Sequence, residues 1–134
     1  MRLLSYIYFL ITSIRNWLYD KRYLKINEIP DVDILCIGNI TVGGTGKTPA
    51  VQFFTKKLLK MGRKVAIVSR GYRGKRKIDP MIVSDGKKIL VTSRESGDEP
   101  YIHALNLKVP VIVGRNRHKA CKLAVEKFGV DTII

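Results

Sequence analysis

Acid is what this chain lacks most. Asp and Glu number 11 against 25 Lys and Arg, for a formal net charge of +14 over 134 residues. Such an imbalance points to an anionic partner: nucleic acid, a phosphorylated substrate or an acidic membrane surface. Cysteine is scarce too. Cys36 lies in an apolar run and Cys121 in a helical pattern, without the spacing of metal ligands or of a disulfide framework, which fits reduced, buried thiols in a cytosolic protein. No Pro-, Gly- or Ser-rich tract and no repeat is present, so a disordered or solenoid chain is excluded. Nor does any apolar run reach the roughly 20 residues that a bilayer crossing needs. What remains, 46% hydrophobic and 27% charged, is a globular composition with room for one modest core, hence one domain or the larger part of one.

The apolar residues that are present are ordered from the start. Leu3, Tyr6, Ile7, Leu10, Ile11, Ile14, Trp17 and Leu18 recur at three- and four-residue steps, which predicts a helix over residues 1–19 with one broad apolar face. Arg2, Ser5, Thr12 and Asn16 fall on the other side. Trp17, Tyr19 and the cluster Arg15, Lys21, Arg22 and Lys25 suit the headgroup level of a membrane. Residues 1–28 are therefore expected to be a membrane-interface helix and linker that lies on a bilayer without crossing it. A helix packed on its own domain is the competing structural interpretation. A cleaved signal peptide fits poorly, because one Arg precedes the stretch and no small-x-small site follows it.

Beyond Pro30 the pattern alternates. Asp33 to Ile40 reads as a buried strand, Thr48 to Met61 as a helix with Val51, Phe54 and Leu58 facing the core, and Lys64 to Ser69 as a second strand. Met81–Ser84 and Lys88–Thr92 flank Asp85-Gly86, a two-residue hairpin signal that predicts a small projecting β-ribbon. A helix from Asp98 to Leu107, a strand Val109–Val113, a helix Asn116–Phe128 and a last strand from Asp131 complete the series. The expected fold class is α/β, a doubly wound, mostly parallel sheet with a β-hairpin insertion, over residues 29–134. His103 and His118 are expected at the surface, without a role.

One motif carries chemistry. Thr41, Val42, Gly43, Gly44, Thr45, Gly46, Lys47 and Thr48 lie between a predicted strand and a predicted helix, the setting of a phosphate-binding P-loop. Glycines turn backbone N–H groups toward phosphate oxygens, and the helix presents its positive end to the same anion. Lys47 is placed to reach the β- and γ-phosphates, and the Thr48 hydroxyl to ligate Mg²⁺. Thr41 stands where the strict pattern has Gly. ATP or GTP binding follows.

The run Cys36-Ile-Gly-Asn-Ile-Thr-Val-Gly-Gly-Thr-Gly-Lys-Thr-Pro49, with that same departure, resembles the signature of the tetraacyldisaccharide 4'-kinases. Leu18-Tyr-Asp20, Ser69-Arg-Gly-Tyr-Arg-Gly74, Gly97-Asp-Glu-Pro100 and Asn116-Arg117 resemble that family in the same order. The resemblance implies an ATP- and Mg²⁺-dependent P-loop kinase, peripheral at the cytoplasmic face of the bacterial inner membrane. Its substrate would be an acylated disaccharide 1-phosphate, phosphorylated on the 4'-hydroxyl in lipid A biosynthesis. By the same resemblance Asp98 is catalytic, Glu99 lies near the metal and Arg117 neutralises phosphate charge. By position alone Asp98 is a helix N-cap, and the two roles can coexist. Arg70 and Tyr72, after the second strand, are candidates to meet the sugar or its phosphate, with an exposed loop charge as the competing interpretation. The family's second metal-binding acidic segment would follow the strand that opens at Asp131, past Ile134, so the chain as given is expected to be a truncated kinase domain that binds ATP without useful turnover.

Two rivals have the same ingredients. The charge and the P-loop also fit a basic ATPase acting on nucleic acid, against which the aromatic N-terminal helix argues. An inactive membrane-binding fragment is the other. The sequence sets no oligomeric state.

Overall fold

The computed structural model describes residues 2–38 and 46–134, with the backbone alone for Arg2 and Leu3. The expected strand end at Ile40 and the loop residues Thr41, Val42, Gly43, Gly44 and Thr45 lie outside the described residues.

The chain forms, in order, α1 (Arg2–Asp20), β1 (Asp33–Ile34), α2 (Lys47–Lys60), β2 (Val65–Ser69), β3 (Met81–Asp85), α3 (Ser93–Ser96), α4 (Asp98–Asn106), β4 (Pro110–Val113), α5 (Arg117–Phe128) and β5 (Thr132–Ile133). The strands make one sheet in the order β1-β5-β2-β4-β3. Its first four are mutually parallel, and β3 runs antiparallel on the edge of β4.

The central strands are buried on both faces, which explains why β2 and β4 read as largely apolar runs, whereas β1, expected as a buried strand, is exposed at Asp33 and Ile34 on the sheet edge. Val65, Ile67, Val111, Val113 and Ile134 join Val51 of α2 and Ala104 of α4 in one core cluster. The alternate residues Ala66, Ile112 and Ile133 join Ala120, Cys121 and Ala124 of α5 in a second. Period-two alternation along the strands thus divides the apolar side chains between two helical layers. The helices stop where the sequence breaks them: Gly62 at φ +80° follows α2, and Gly129 at φ +59° closes α5, whose start is capped by the Asn116 side chain accepting from Lys119 N–H.

At the opposite, N-terminal edge of the parallel strands, Arg63 ties three of them together. Its Nε donates to Asp131 Oδ1 at 3.0 Å and to Thr132 Oγ1 at 2.8 Å, and its Nη2 donates to Asp33. Asp131 also accepts from Lys64 N–H at 3.2 Å. The Thr132 hydroxyl, with the Lys64 N–H and the Arg63 charge, holds the Asp131 carboxyl below its ordinary value against the opposing effect of burial.

Two further expectations about the fold need correction, and one competing interpretation falls. The Asp85-Gly86 turn forms, with Asp85 Oδ1 accepting from the N–H groups of Lys87 and Lys88 at 2.7 Å each, but no ribbon projects. The return arm reduces to a single bridge between Ser84 and Ile89. Met81 and Val83 are buried, and Ile82 packs on the other cluster, so β3 gains more as an edge of the main sheet than as half of a free hairpin. Phe54 is 39% exposed, because Val51 and Thr55 take the inward stripe of α2. Helix α1 is not packed on its own domain: Ile7, Leu10, Ile14 and Trp17 are each exposed, at 47% or more. No helix among the described residues is long and apolar enough to cross a membrane.

Ile112 is fully buried, whereas Ile34 on the β1 edge is 57% exposed. Urea unfolding should therefore show a loss of about 2–5 kcal/mol for Ile112→Ala and under about 1 kcal/mol for Ile34→Ala; equal losses would refute this core. A second expectation concerns acid. Because the folded Asp131 carboxyl releases its proton more readily than the unfolded one, its stabilisation is complete above the ordinary carboxylate range and is lost as pH falls through the depressed value. The thermal midpoint should hold from pH 7 to about 5 and fall below about pH 4. Asp131→Asn should flatten that fall, and an unchanged acid limb in the variant would contradict the assignment.

Candidate functional site

Because four strands run parallel, their carboxyl ends open on one side of the sheet, and the connections leaving them surround a cavity of about 350 Å³. The segment after β1 (Ile34 to Gly38) forms one wall. Lys47 and Val51 of α2, the end of β2 with Arg70 and Tyr72, Glu99 and His103 of α4, Arg117 and Cys121 of α5, and Ile133 and Ile134 complete it. Side chains from both helical layers meet here, at the crevice where open α/β sheets bind ligands.

The wall from α2 is built by its first turn. Gly46 adopts φ +76°, a left-handed conformation that glycine takes without strain, and no side chain caps the helix. The opening N–H groups of α2 and its positive dipole end thus lie beside the Lys47 ammonium, an arrangement suited to an anion. Thr48 Oγ1 lies 3.4 Å from Glu99 Oε1, so α2 and α4 bring a hydroxyl and a carboxylate oxygen together. Among the described residues no group of three His, Cys, Asp or Glu is close enough to hold a metal. One carboxylate and one hydroxyl is a poor zinc site. It fits Mg²⁺, which takes one or two protein oxygens and completes its shell from phosphate and water.

The wall from α4 depends on a glycine. Gly97, at φ +90°, is the N-cap of α4, and a Cβ there would stand 2.6 Å from Tyr72 O. Asp98 is accordingly not the cap: it is the exposed first residue of the helix, with no capping hydrogen bond. Glu99 lines the cavity and Asp98 does not. The short helix α3 just before it, unforeseen in the sequence, is secured by a capping box between Thr92 and Glu95.

Lys47, Arg70, Tyr72, Glu99 and Arg117 therefore share one cavity, with Thr48 in contact with Glu99 and Asp98 one residue outside. The Arg73 guanidinium lies over the Tyr72 ring, 5.5 Å from its centre. His103 was expected at the surface and is instead 2% exposed, on the Pro100–Ala104–Leu107 stripe of α4, and it faces the cavity. Its Nδ1 has no hydrogen-bond partner among the described residues, and burial pushes its pKa down, opposed by the Glu99 carboxylate four residues earlier. The three- and four-residue steps linking His103 to Glu99, Pro100 and Leu107 are the signal that would have placed it inside. His118 is half-buried on α5. Cys36, expected inside, is exposed on the cavity wall, while Cys121 is buried, with its thiol pKa raised by burial against the charge of Arg117.

A family model described as Tetraacyldisaccharide-1-P 4'-kinase matches residues 1–134. The Tetraacyldisaccharide 4'-kinase of Desulfotalea psychrophila is 44% identical over 132 residues, covering 98% of this chain and 38% of that protein. That of Aquifex aeolicus is 43% identical over 131 residues, covering 97% of this chain and 40% of its own. The crystal structure of "apo" form LpxK from Aquifex aeolicus in complex with ATP superposes with a TM-score of 0.81 at 43% identity, over 98% of this chain and 41% of that one. The chain thus spans about two-fifths of the length of these relatives. With a match along its whole length, and an α/β fold with the same mostly parallel sheet, the chain belongs to the tetraacyldisaccharide-1-P 4'-kinase family.

Proposed function

We propose that this chain forms the nucleotide-binding part of an ATP-dependent kinase that transfers the γ-phosphoryl group to the 4'-hydroxyl of a tetraacyldisaccharide 1-phosphate, in lipid A biosynthesis. The observation that carries this reading is the convergence of Lys47, Arg70, Tyr72, Glu99 and Arg117 on one cavity at the carboxyl ends of the parallel strands. The curated relatives are named for this reaction, and the Aquifex aeolicus relative was crystallised with ATP.

Residues 29–134 then act as a P-loop NTPase-like domain. Residues 41–48 cradle the phosphates, and Lys47 neutralises the β- and γ-phosphate charge. Thr48 and Glu99 would hold Mg²⁺, which when bound would neutralise phosphate charge. Asp98, free of capping duty, accepts the proton of the attacking hydroxyl, and Arg117 offsets negative charge on the transferred group. Arg70 and Tyr72 meet the sugar or its phosphate. The enzyme sits on an anionic membrane as a peripheral protein at the cytoplasmic face of the inner membrane, a reading supported by the exposed apolar residues Ile7, Leu10, Ile14 and Trp17 of α1.

Lys47→Ala in the full-length protein is expected to weaken ATP binding by about tenfold or more, measured by isothermal titration with Mg²⁺ present. Unchanged affinity would overturn the nucleotide site. Salt-sensitive nucleic-acid binding in place of nucleotide binding would favour a basic ATPase instead. For the membrane, Ile7→Asp with Ile14→Asp should weaken co-sedimentation with phosphatidylethanolamine–phosphatidylglycerol vesicles by at least about tenfold. Retention of the double variant on vesicles would remove α1 from that role.

A further inference from the structure

Arg76 stands near the middle of the connection from β2 to β3, yet its side chain is only 8% exposed and turns back toward the start of that loop. Its Nη1 donates to the carbonyl oxygens of Arg70 at 2.9 Å and Gly71 at 3.2 Å, and its Nε donates to Asp79 Oδ1 at 2.7 Å. Asp79 in turn accepts from the backbone N–H of Arg115, at 3.0 Å to Oδ1 and 3.2 Å to Oδ2. One guanidinium–carboxylate pair therefore joins the backbone beneath Arg70 to the backbone two residues before Arg117. Both Arg70 and Arg117 line the cavity; Arg76 and Asp79 do not.

The other side of the loop is held by close backbone packing. A Cβ on Gly71 would stand 2.8 Å from Ser96 O, and one on Gly74 would stand 2.5 Å from Glu95 O. Lys75 N–H also donates to Arg94 O at 2.8 Å. The segment from Arg70 to Arg76 is thus fastened to the α3–α4 junction on one side and to the start of α5 on the other. A planar guanidinium holds two carbonyls and a carboxylate in directions fixed by its fork, whereas the three donors of an ammonium rotate about one point. The Arg115 N–H and the Arg76 charge keep the Asp79 carboxyl below its ordinary value, against burial, so the pair is charged at neutral pH.

We propose that Arg76, braced by Asp79, is a positioning residue that sets Arg70 for the acceptor substrate. The inference rests on the kinase reading, in which Arg70 meets the phosphorylated sugar. Arg76 touches neither nucleotide nor acceptor: it fixes the carbonyl of Arg70, and so the direction in which the Arg70 side chain leaves the loop. Displacement of that anchor should be felt by the acceptor and not by ATP.

Steady-state kinetics of the full-length protein, with the acylated disaccharide 1-phosphate and ATP varied separately, test this. Arg76→Gln is expected to raise the acceptor KM about tenfold with the ATP KM within about twofold of wild type. Added to Arg70→Ala, it should raise the acceptor KM no further, because its effect passes through Arg70. Asp79→Asn, which keeps the shape and removes the charge, should move the acceptor KM in the same direction, and it is judged by the same criteria if Arg76→Gln fails to fold. A fall in kcat or thermal midpoint with both KM values unmoved would make the pair merely structural and overturn the proposal. So would effects of Arg70→Ala and Arg76→Gln that multiply. If Arg70→Ala alone leaves the acceptor KM unmoved, it is the reading of Arg70 as an acceptor contact that fails, a result independent of Arg76.

Discussion

Burial of the central strands on both faces is the constraint from which the rest of the structure follows. A parallel strand cannot be joined to its neighbour by a tight turn, so each connection must climb over a face as a helix and return. That requirement accounts for the helical layers against the two core clusters, and it delivers every connection leaving a parallel strand to the same edge. The cavity at that edge is a consequence of topology before it is a feature of any residue. With β5 lying between β1 and β2, the segments leaving β1 and β2 are parted, and the gap between them is where Lys47, Arg70 and Glu99 meet.

Glycine then sets how closely the loops around the cavity approach. The backbones at Gly71, Gly74 and Gly97 pass within distances that a Cβ would violate, so the loop after β2 and the start of α4 pack as one layer. Gly97 does this at φ +90°, a conformation other residues adopt only with strain. Its presence frees Asp98 from capping, since a glycine N-cap has no side chain to offer. The two carboxylates of the first turn, Asp98 and Glu99, complement the helix dipole, and Glu99 lines the cavity.

Local pattern carried much of this into the sequence. The steps of Val51 and Leu58, the stop at Gly62 and the run Val65–Ser69 are decided within a few residues, and the corresponding elements agree to within a residue or two. The shared cavity of Lys47, Arg70, Tyr72, Glu99 and Arg117 followed from motifs placed after predicted strands. What was not legible depends on distant partners. Whether Met81–Asp85 pairs with its hairpin arm or with β4 is settled by burial across the sheet, not by the turn that both alternatives share. Arg76 reads as one more cation in a basic loop, and its burial becomes intelligible only once folding brings the Arg70 carbonyl and Asp79 to it. His103 reads as a surface residue on polarity alone, while its steps to Pro100 and Leu107 are the contrary signal that burial obeys.

The scarcity of acid, in this light, is selective. Asp33, Asp79, Asp85, Glu95 and Asp131 each answer an arginine or a backbone N–H, and these contacts hold strand starts, turns and a helix cap. Those carboxylates are committed to structure and cannot leave to serve a ligand without loss of the element they secure. Of the acidic residues so committed, none lines the cavity; Glu99 does, with Asp98 beside it. On the proposed function that distribution has a physical reason. A basic cavity attracts polyphosphate from a distance, and every further carboxylate at its rim would weaken that attraction. Acid is useful there only at the two points where a metal must be held and a proton accepted, and those points fall on consecutive residues of one helical turn, held against the loop after β2 by a glycine.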